Sequence, residues 1–252
     1  MMQKNIIISA IAIAMLTSCG NNSKNLASIE AGNIKVEHIE KSDGAELVRE
    51  ILARRAAVID SIKAPVIGRA AKELTSYTPE SPLMNFAADA LLFMARQKSG
   101  EQIDIAITNK GGLRNIIAQG DITFGDIYNV FPFENTLALV TLDGEQLLQL
   151  FADIAAVGGE AISGARLTIT ADGKLTSATV GGKKIIPSKK YRIATSDYLS
   201  QGNDKLYTFE KSSNVTIKSD ITIRDLMIDY IKMCHSNGKT IDASTDGRIT
   251  IK

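Results

Sequence analysis

The chain of 252 residues has no tryptophan, five prolines, two histidines and two cysteines, and aromatic residues make up 5% of it. Each shortage excludes something. One cysteine, Cys19, lies at the end of an N-terminal apolar stretch, so Cys234 is left without a partner and no internal disulfide staples the domain. Cys234 falls in the apolar helical pattern after Leu226, where a thiol behaves as a small buried hydrophobe. The two histidines, His38 and His235, stand in no metal-ligand spacing. His38 sits in a short alternating segment. His235 closes the last helical pattern, where imidazole interacts favourably with the helix dipole. Twenty-nine Lys and Arg against 28 Asp and Glu give a net charge of +1, without the basic excess that a nucleic-acid polymer requires. No apolar run reaches the roughly 20 residues that span a bilayer.

What is present begins at the N-terminus. Lys4 precedes an apolar run from Ile6 to Leu16, and Leu16-Thr17-Ser18-Cys19 is followed by Gly20-Asn21-Asn22-Ser23. A positive start, a short apolar core, small residues before a cysteine and a polar tail after it form a secretory signal ending in a lipobox. The expectation is cleavage after residue 18 and lipidation of Cys19. The product would be exported and lipid-anchored to a membrane, at the periplasmic face or the cell surface, its several acyl chains making the anchor stable. About 234 residues then remain, enough for one domain or two small ones.

Residues 19–43 read as a polar tether, with a strand-like alternation at 34–39. Residues 44–62 carry Leu47, Ile51, Leu52, Ala56, Val58, Ile59 and Ile62 at helical spacing, and Pro65 ends the pattern. Ser81-Pro82 predicts an N-cap and an N1 proline for a helix running to Ser99-Gly100. Strands are predicted at 66–67, 103–108, 136–142, 165–170, 177–180, 191–196 and 249–251. Further helices are predicted at 123–130, 145–156 and 220–236, the last capped by Asp220, with Asp143-Gly144 as a turn. Helices and strands mix without strict alternation, so the expected class is α+β with a mixed sheet and flanking helices.

Four segments carry candidate chemistry. Asn85 and Asp89, within Ser81–Ala90, share one helix face. Thr108-Asn109-Lys110-Gly111-Gly112-Leu113-Arg114 places a glycine pair at a strand end, where backbone can approach a ligand. Val130-Phe131-Pro132-Phe133-Glu134-Asn135 and Ala194-Thr195-Ser196-Asp197-Tyr198, the latter followed by Gly202-Asn203-Asp204, complete the set. Each alone reads as an ordinary turn or core segment. In this order and spacing they resemble the C-terminal domain of the 5′-nucleotidase family over residues 62–252, with the preceding helix similar to that family's interdomain helix.

The resemblance implies that Phe133 and Tyr198 sandwich a nucleobase. Stacking of this kind contributes about 1–3 kcal/mol per base and tolerates any base. It implies that Asn135 hydrogen-bonds the base edge and that Asp204 holds the ribose hydroxyls, a task suited to an acceptor-only carboxylate. Arg114 would meet phosphate through its planar fork, with Asn109 and Gly112 shaping the loop. Some family members carry phosphate-facing arginines just before the segment matching Ser81. Here residues 73–80 contain no Arg or Lys, and Arg69 is the nearest.

The family's N-terminal metallophosphoesterase domain binds two metal ions through Asp, His and Asn ligands. No segment here matches its ligand motifs, and the roughly 25 residues after Cys19 are too few for such a domain. The resemblance therefore implies no catalytic residue, metal ligand or cofactor in this chain, with two divalent metals carried by a partner phosphatase. The expected organisation is a signal at 1–18, a tether at 19–43, an interdomain-like helix at 44–64 and a 5′-nucleotidase C-terminal-like domain at 65–252. The preferred expectation is the nucleotide- or nucleoside-recognition half of a split 5′-nucleotidase, completed by a separate metallophosphatase chain. The alternative is a stand-alone nucleoside- or nucleotide-binding lipoprotein. A hydrolase working through Asp197 and Asp204 alone lacks a nucleophile–base pair and is disfavoured.

Overall fold

The structure, a computed structural model, describes residues 43–212 and 214–252. The expected signal, Cys19, the strand at 34–39, His38 and all but the end of the tether lie outside the described residues. Contacts divide the chain into two units, Met1–Arg49 and Glu50–Lys252. The described part of the first unit is the opening of helix α1, Asp43–Lys63. Within the second unit, Ile51, Leu52, Val58, Ile59 and Ile62 of α1 remain exposed. Amphipathic patterning made this helix legible, but the arc that the pattern would bury faces solvent here.

The second unit is built around one five-stranded sheet. Its strands are β2 (Ile105–Thr108), β4 (Thr136–Asp143), β5 (Ala161–Ser163), β9 (Lys190–Ser196) and β10 (Asn214–Thr222), in the order β10-β4-β9-β2-β5. β2 and β9 run parallel, and the other pairs are antiparallel. Away from the β10 edge, both faces are buried. Ala106, Leu137, Leu139 and Ala194 point into a core formed with helices α2 (Pro82–Ser99) and α6 (Ile223–Ser236). Ile105, Ile107, Val140, Leu142 and Ile193 point the other way. There they meet helix α4 (Gly144–Ala156) and a second sheet, whose strands are β6 (Ala165–Ile169), β7 (Leu175–Val180), β8 (Lys183–Lys184) and β11 (Ile249–Ile251). The two-residue period of a strand sends neighbouring side chains to opposite cores, which explains why β2 is buried at all four positions. The remaining elements are the antiparallel pair β1 (Val66–Ala70) and β3 (Gly120–Thr123), helix α3 (Phe124–Val130), and the one-turn helix α5 (Asp197–Ser200).

The caps show how local chemistry sets these boundaries. Ser81 Oγ accepts from Met84 N–H, Pro82 opens α2, and Gly100 closes it in the left-handed region at φ 68°. Two boundaries differ from the sequence expectation. Asp143-Gly144 is no free turn: Asp143 caps α4 and exchanges hydrogen bonds with Gln146 in a capping box. Gly144 is glycine because a Cβ there would lie 2.1 Å from the Ile186 carbonyl oxygen. The last helix starts at Ile223, and its cap is Thr222, whose hydroxyl accepts from Asp225 N–H at 3.0 Å. Asp220 instead belongs to β10, which the sequence reading did not anticipate. Pairing with β4 carries this exposed, polar edge strand through to Thr222, past an irregularity between Lys218 and Thr222.

Candidate functional site

Three strand ends meet at one end of the central sheet. The C-terminal ends of parallel β2 and β9 lie beside the N-terminal end of antiparallel β4, with Leu137 opposite Ser196. The loops leaving β2, leaving β9 and entering β4 therefore converge. They enclose a cavity of about 300 Å³ lined by Asn109, Gly111, Arg114, Phe133, Tyr198 and Asp204. That volume lies at the small end of ligand sites.

Five residues singled out from the sequence thus share one wall, although almost 100 positions separate the first from the last. Asn109 follows β2 and is buried, and its Nδ2 donates to Asp204 Oδ2 at 2.5 Å. Tyr198, in α5, donates its hydroxyl to Asp204 Oδ1 at 2.9 Å, and this bond raises the tyrosine pKa above its ordinary value. Asp204 itself sits at φ 54°, followed by Lys205 at φ 66°. Two successive non-glycine residues in the left-handed region store strain, which persists only where surrounding bonds over-determine the conformation. Here the bonds from Asn109 and Tyr198 fix the carboxylate.

Phe133 and Tyr198 are 48% and 38% exposed, high for large apolar rings, and both face the cavity. They are not among the described ring pairs in contact, so each keeps a free face. Arg114 follows a short 3₁₀ turn, Lys110–Gly112, and its backbone N–H is fixed on Val130 O at 2.9 Å. Its guanidinium touches Gly111 O at 3.3 Å and lies 5.9 Å from the centre of the Phe133 ring. Among the described residues it forms no ion pair, which leaves its charge available.

Two of the expected residues do not line the cavity. Gly112 acts one step behind it: a Cβ there would lie 2.9 Å from Asn109 Oδ1, so glycine lets Asn109 reach Asp204. Asn135 uses its carbonyl to accept Ile223 N–H at 2.8 Å, and its side chain makes no hydrogen bond among the described residues. Asp197 is committed to the frame, because its Oδ1 accepts from the backbone N–H groups of Thr136 and Tyr198. That single carboxylate ties the loop of Phe133 to the helix of Tyr198.

The Asn85 and Asp89 pair is structural. Asn85 donates to Glu80 and to Ser244 O, while Asp89 accepts from Ser163 Oγ and from both Arg248 Nη atoms. Together they bind the C-terminal segment to α2. Arg69 is exposed and pairs with Asp121 at 3.5 Å. Cys234 is buried and free, as its apolar surroundings predict.

Sequence reasoning missed two supporting residues. Arg224, 5% exposed in the first turn of α6, donates to the carbonyls of Phe131 and Pro132 and to Glu134 Oε1, with its guanidinium 4.0 Å over the Tyr128 ring. It clamps the loop that presents Phe133. Glu160, 8% exposed, accepts the Lys110 backbone N–H and so supports the glycine turn. Neither belongs to a local motif, and their partners lie about 50 to 90 positions away.

Among the described residues no group of three or more His, Cys, Asp or Glu could hold a metal ion. Among the described residues, no helix is long and apolar enough to cross a membrane.

The family model for the C-terminal domain of 5′-nucleotidase matches residues 59–211, a span that contains all seven expected site residues. The trifunctional nucleotide phosphoesterase YfkN of Bacillus subtilis is 32% identical over 68% of this chain, which spans 12% of that protein. The cell wall protein Lmo0130 of Listeria monocytogenes is also 32% identical, over 69% of this chain and 24% of its own length. Among solved structures, a 5′-nucleotidase precursor from Thermus thermophilus superposes with a TM-score of 0.70 at 24% identity. That match covers 82% of this chain and 43% of the other, and it shows a shared fold. This chain therefore spans only a minor part of the length of these relatives. Ordered strand ends, the cleft they build and the matched span lead to one conclusion: this chain belongs to the 5′-nucleotidase C-terminal domain family.

Proposed function

We propose that this chain is the nucleotide-recognition half of a split 5′-nucleotidase, which works together with a separate metallophosphatase chain. The observation that carries the reading is the cavity between Phe133 and Tyr198, with a fixed carboxylate at Asp204 and, at Arg114, a guanidinium without an ion pair among the described residues. Two exposed rings can stack on the faces of a base, a carboxylate can accept two ribose hydroxyls, and a planar cation suits a phosphoryl group. Asn135, whose amide has no partner among the described residues, is assigned to the base edge. Hydrolysis falls to the partner, whose two divalent metals would activate water and stabilise the displaced oxygen. The open apolar arc of α1 offers such a partner a place to dock.

The test is reconstitution. Alone, the purified chain should leave AMP intact in the presence of Mn²⁺, Co²⁺ or Zn²⁺. Mixed with a matching metallophosphatase chain, it should raise kcat or lower KM for AMP. Metal-dependent hydrolysis by the isolated chain would overturn the split reading. Failure of every exported metallophosphatase of the source cell to respond would favour the alternative, a stand-alone nucleoside-binding protein.

The lipobox reading places the complex at a membrane, held by lipid on Cys19. Cys19→Ser should accumulate uncleaved precursor that takes up no labelled fatty acid. A mutant processed and lipidated like the wild type rules out that anchor.

A further inference from the structure

We propose that Glu160 is a positioning residue of the cleft, and that an anion bound beside Arg114 draws a proton onto its carboxyl group. The inference rests on reading the cleft as a nucleotide site. Glu160 lies just before β5, and its Oε2 accepts the backbone N–H of Lys110. Lys110 opens the short turn whose neighbours do the work of the cleft: Asn109 holds Asp204, and Gly111 O receives Arg114. One buried carboxyl group therefore supports both charges that face a ligand.

The other oxygen of Glu160 receives no hydrogen bond from the described residues. Glu160 also lines a second cavity of about 520 Å³, which shares Gly111 and Asp204 with the cleft. Water can therefore deliver and remove a proton. The charged groups facing Glu160 are Lys110 from one turn, and Asp204 and Lys205 from the other. None of them forms an ion pair with it. Burial pushes the Glu160 pKa up to about 7, Asp204 pushes in the same direction, and the Lys110 amide and ammonium oppose them.

The direction of coupling follows. A phosphoryl group at Arg114 brings a second negative charge to the turn and displaces water from beside it. Both effects disfavour the carboxylate, so the complex binds more protons than the free chain near neutral pH. Reciprocity then requires anion affinity to fall as pH rises through the range in which free Glu160 ionises. A neutral nucleoside adds no charge and should show the effect only weakly. Glutamine at this position mimics the protonated form and keeps an acceptor for the Lys110 N–H.

The experiment is calorimetry of AMP and adenosine binding near neutral pH, in two buffers of different ionisation enthalpy. It compares the wild type with Glu160→Gln and Glu160→Ala. Wild type should take up a fraction of a proton with AMP beyond that seen with Glu160→Gln. Its AMP affinity should fall roughly three- to tenfold further than that of the variant between about pH 6 and pH 8. The phosphate's own titration is common to both chains and cancels in the comparison. Glu160→Gln should also retain more adenosine affinity than Glu160→Ala, which loses the support of the turn. Equal proton uptake and parallel pH curves would overturn the proposal, and so would equal losses in the two variants. If adenosine fails to bind the wild type, it is the nucleotide reading that fails. The coupling is then judged with sulfate, which does not titrate near neutrality, by carboxyl NMR of Glu160. An upward shift of its pKa with sulfate supports the coupling, and an unmoved titration overturns it.

Discussion

The molecule contains two clusters of the same three residue types. Asn85, Asp89 and Arg248 gather where the C-terminal segment crosses α2, and Asn109, Asp204 and Arg114 gather at the mouth of the cleft. In the first cluster nearly every valence is consumed inside the protein. Arg248, 9% exposed, donates to Asp89, to Asp246 and to the Ile162 carbonyl, and Asp89 also receives Ser163. In the second, only the asparagine and the carboxylate are tied to each other. Among the described residues the guanidinium has no carboxylate partner, two aromatic rings stand open, and the carboxylate rests on strained backbone. Residue type does not distinguish a fastening from an open cleft. What distinguishes them is how many hydrogen bonds the fold itself supplies, because a group already satisfied gains little from a ligand.

If the first cluster is a fastening, breaking it should affect stability and leave recognition alone. Arg248→Met keeps most of the apolar stem and removes the charge that Asp89 and Asp246 share. The expected cost is about 2–4 kcal/mol in chemical denaturation, since the two carboxylates and the Ile162 carbonyl lose their donor. Adenosine affinity of the folded fraction should not change. A stable variant with impaired binding would remove the contrast between the clusters.

The opposite pattern is expected at the rings of the cleft. Phe133→Ala and Tyr198→Ala should each weaken adenosine or AMP binding by roughly 1–3 kcal/mol in calorimetry. Because the Phe133 ring is exposed, its loss should move stability by only about 0.5 kcal/mol, whereas Tyr198→Ala should cost more, since it also frees Asp204 from the tyrosine hydroxyl. Leucine at either site should restore part of the loss, returning bulk without the π-face. Full affinity in both alanine variants would defeat the sandwich.

The smallest effect sharpens the division of labour within the cleft. Arg114→Ala should cost AMP on the order of 1 kcal/mol while leaving adenosine nearly unaffected, since an exposed guanidinium acts on phosphate alone. Asp204→Ala should weaken both ligands alike through the lost ribose contacts. Equal sensitivity of adenosine and AMP to Arg114→Ala would deny the arginine its phosphate role.

Much of the fold was legible where local chemistry decides it. Ser81-Pro82 and Gly100 bound α2 as expected, because a cap and a left-handed stop are properties of a few adjacent residues. The strands at β2, β4 and β9 were legible from β-branched runs. Strand β10 was not, because its side chains are mostly polar and exposed and its conformation is held by backbone bonds to β4. The start of α6 was misplaced for the same reason: Asp220 resembles a cap, yet the ladder holds the chain extended for two more residues, to Thr222.

The ordered motifs by themselves determined the family and picked out five residues that line one cavity. Aromatic rings, an acceptor-only carboxylate and a forked cation are chemical identities, and sequence states identity completely. Only the tertiary structure decided which polar groups remain free. Asp197 and Asp204 lie seven positions apart, yet one binds two backbone amides while the other faces a cavity. Asn85 and Asn109 divide in the same way, one spent on Glu80 and Ser244 and the other fixing Asp204 at the wall. Arg224 and Glu160 gained their roles because β10 pairs with β4 and β5 with β2, which brings the loops of Phe133 and Lys110 beside them. Hydrogen-bond satisfaction depends on partners distant in sequence, and those partners exist only once the strands have paired.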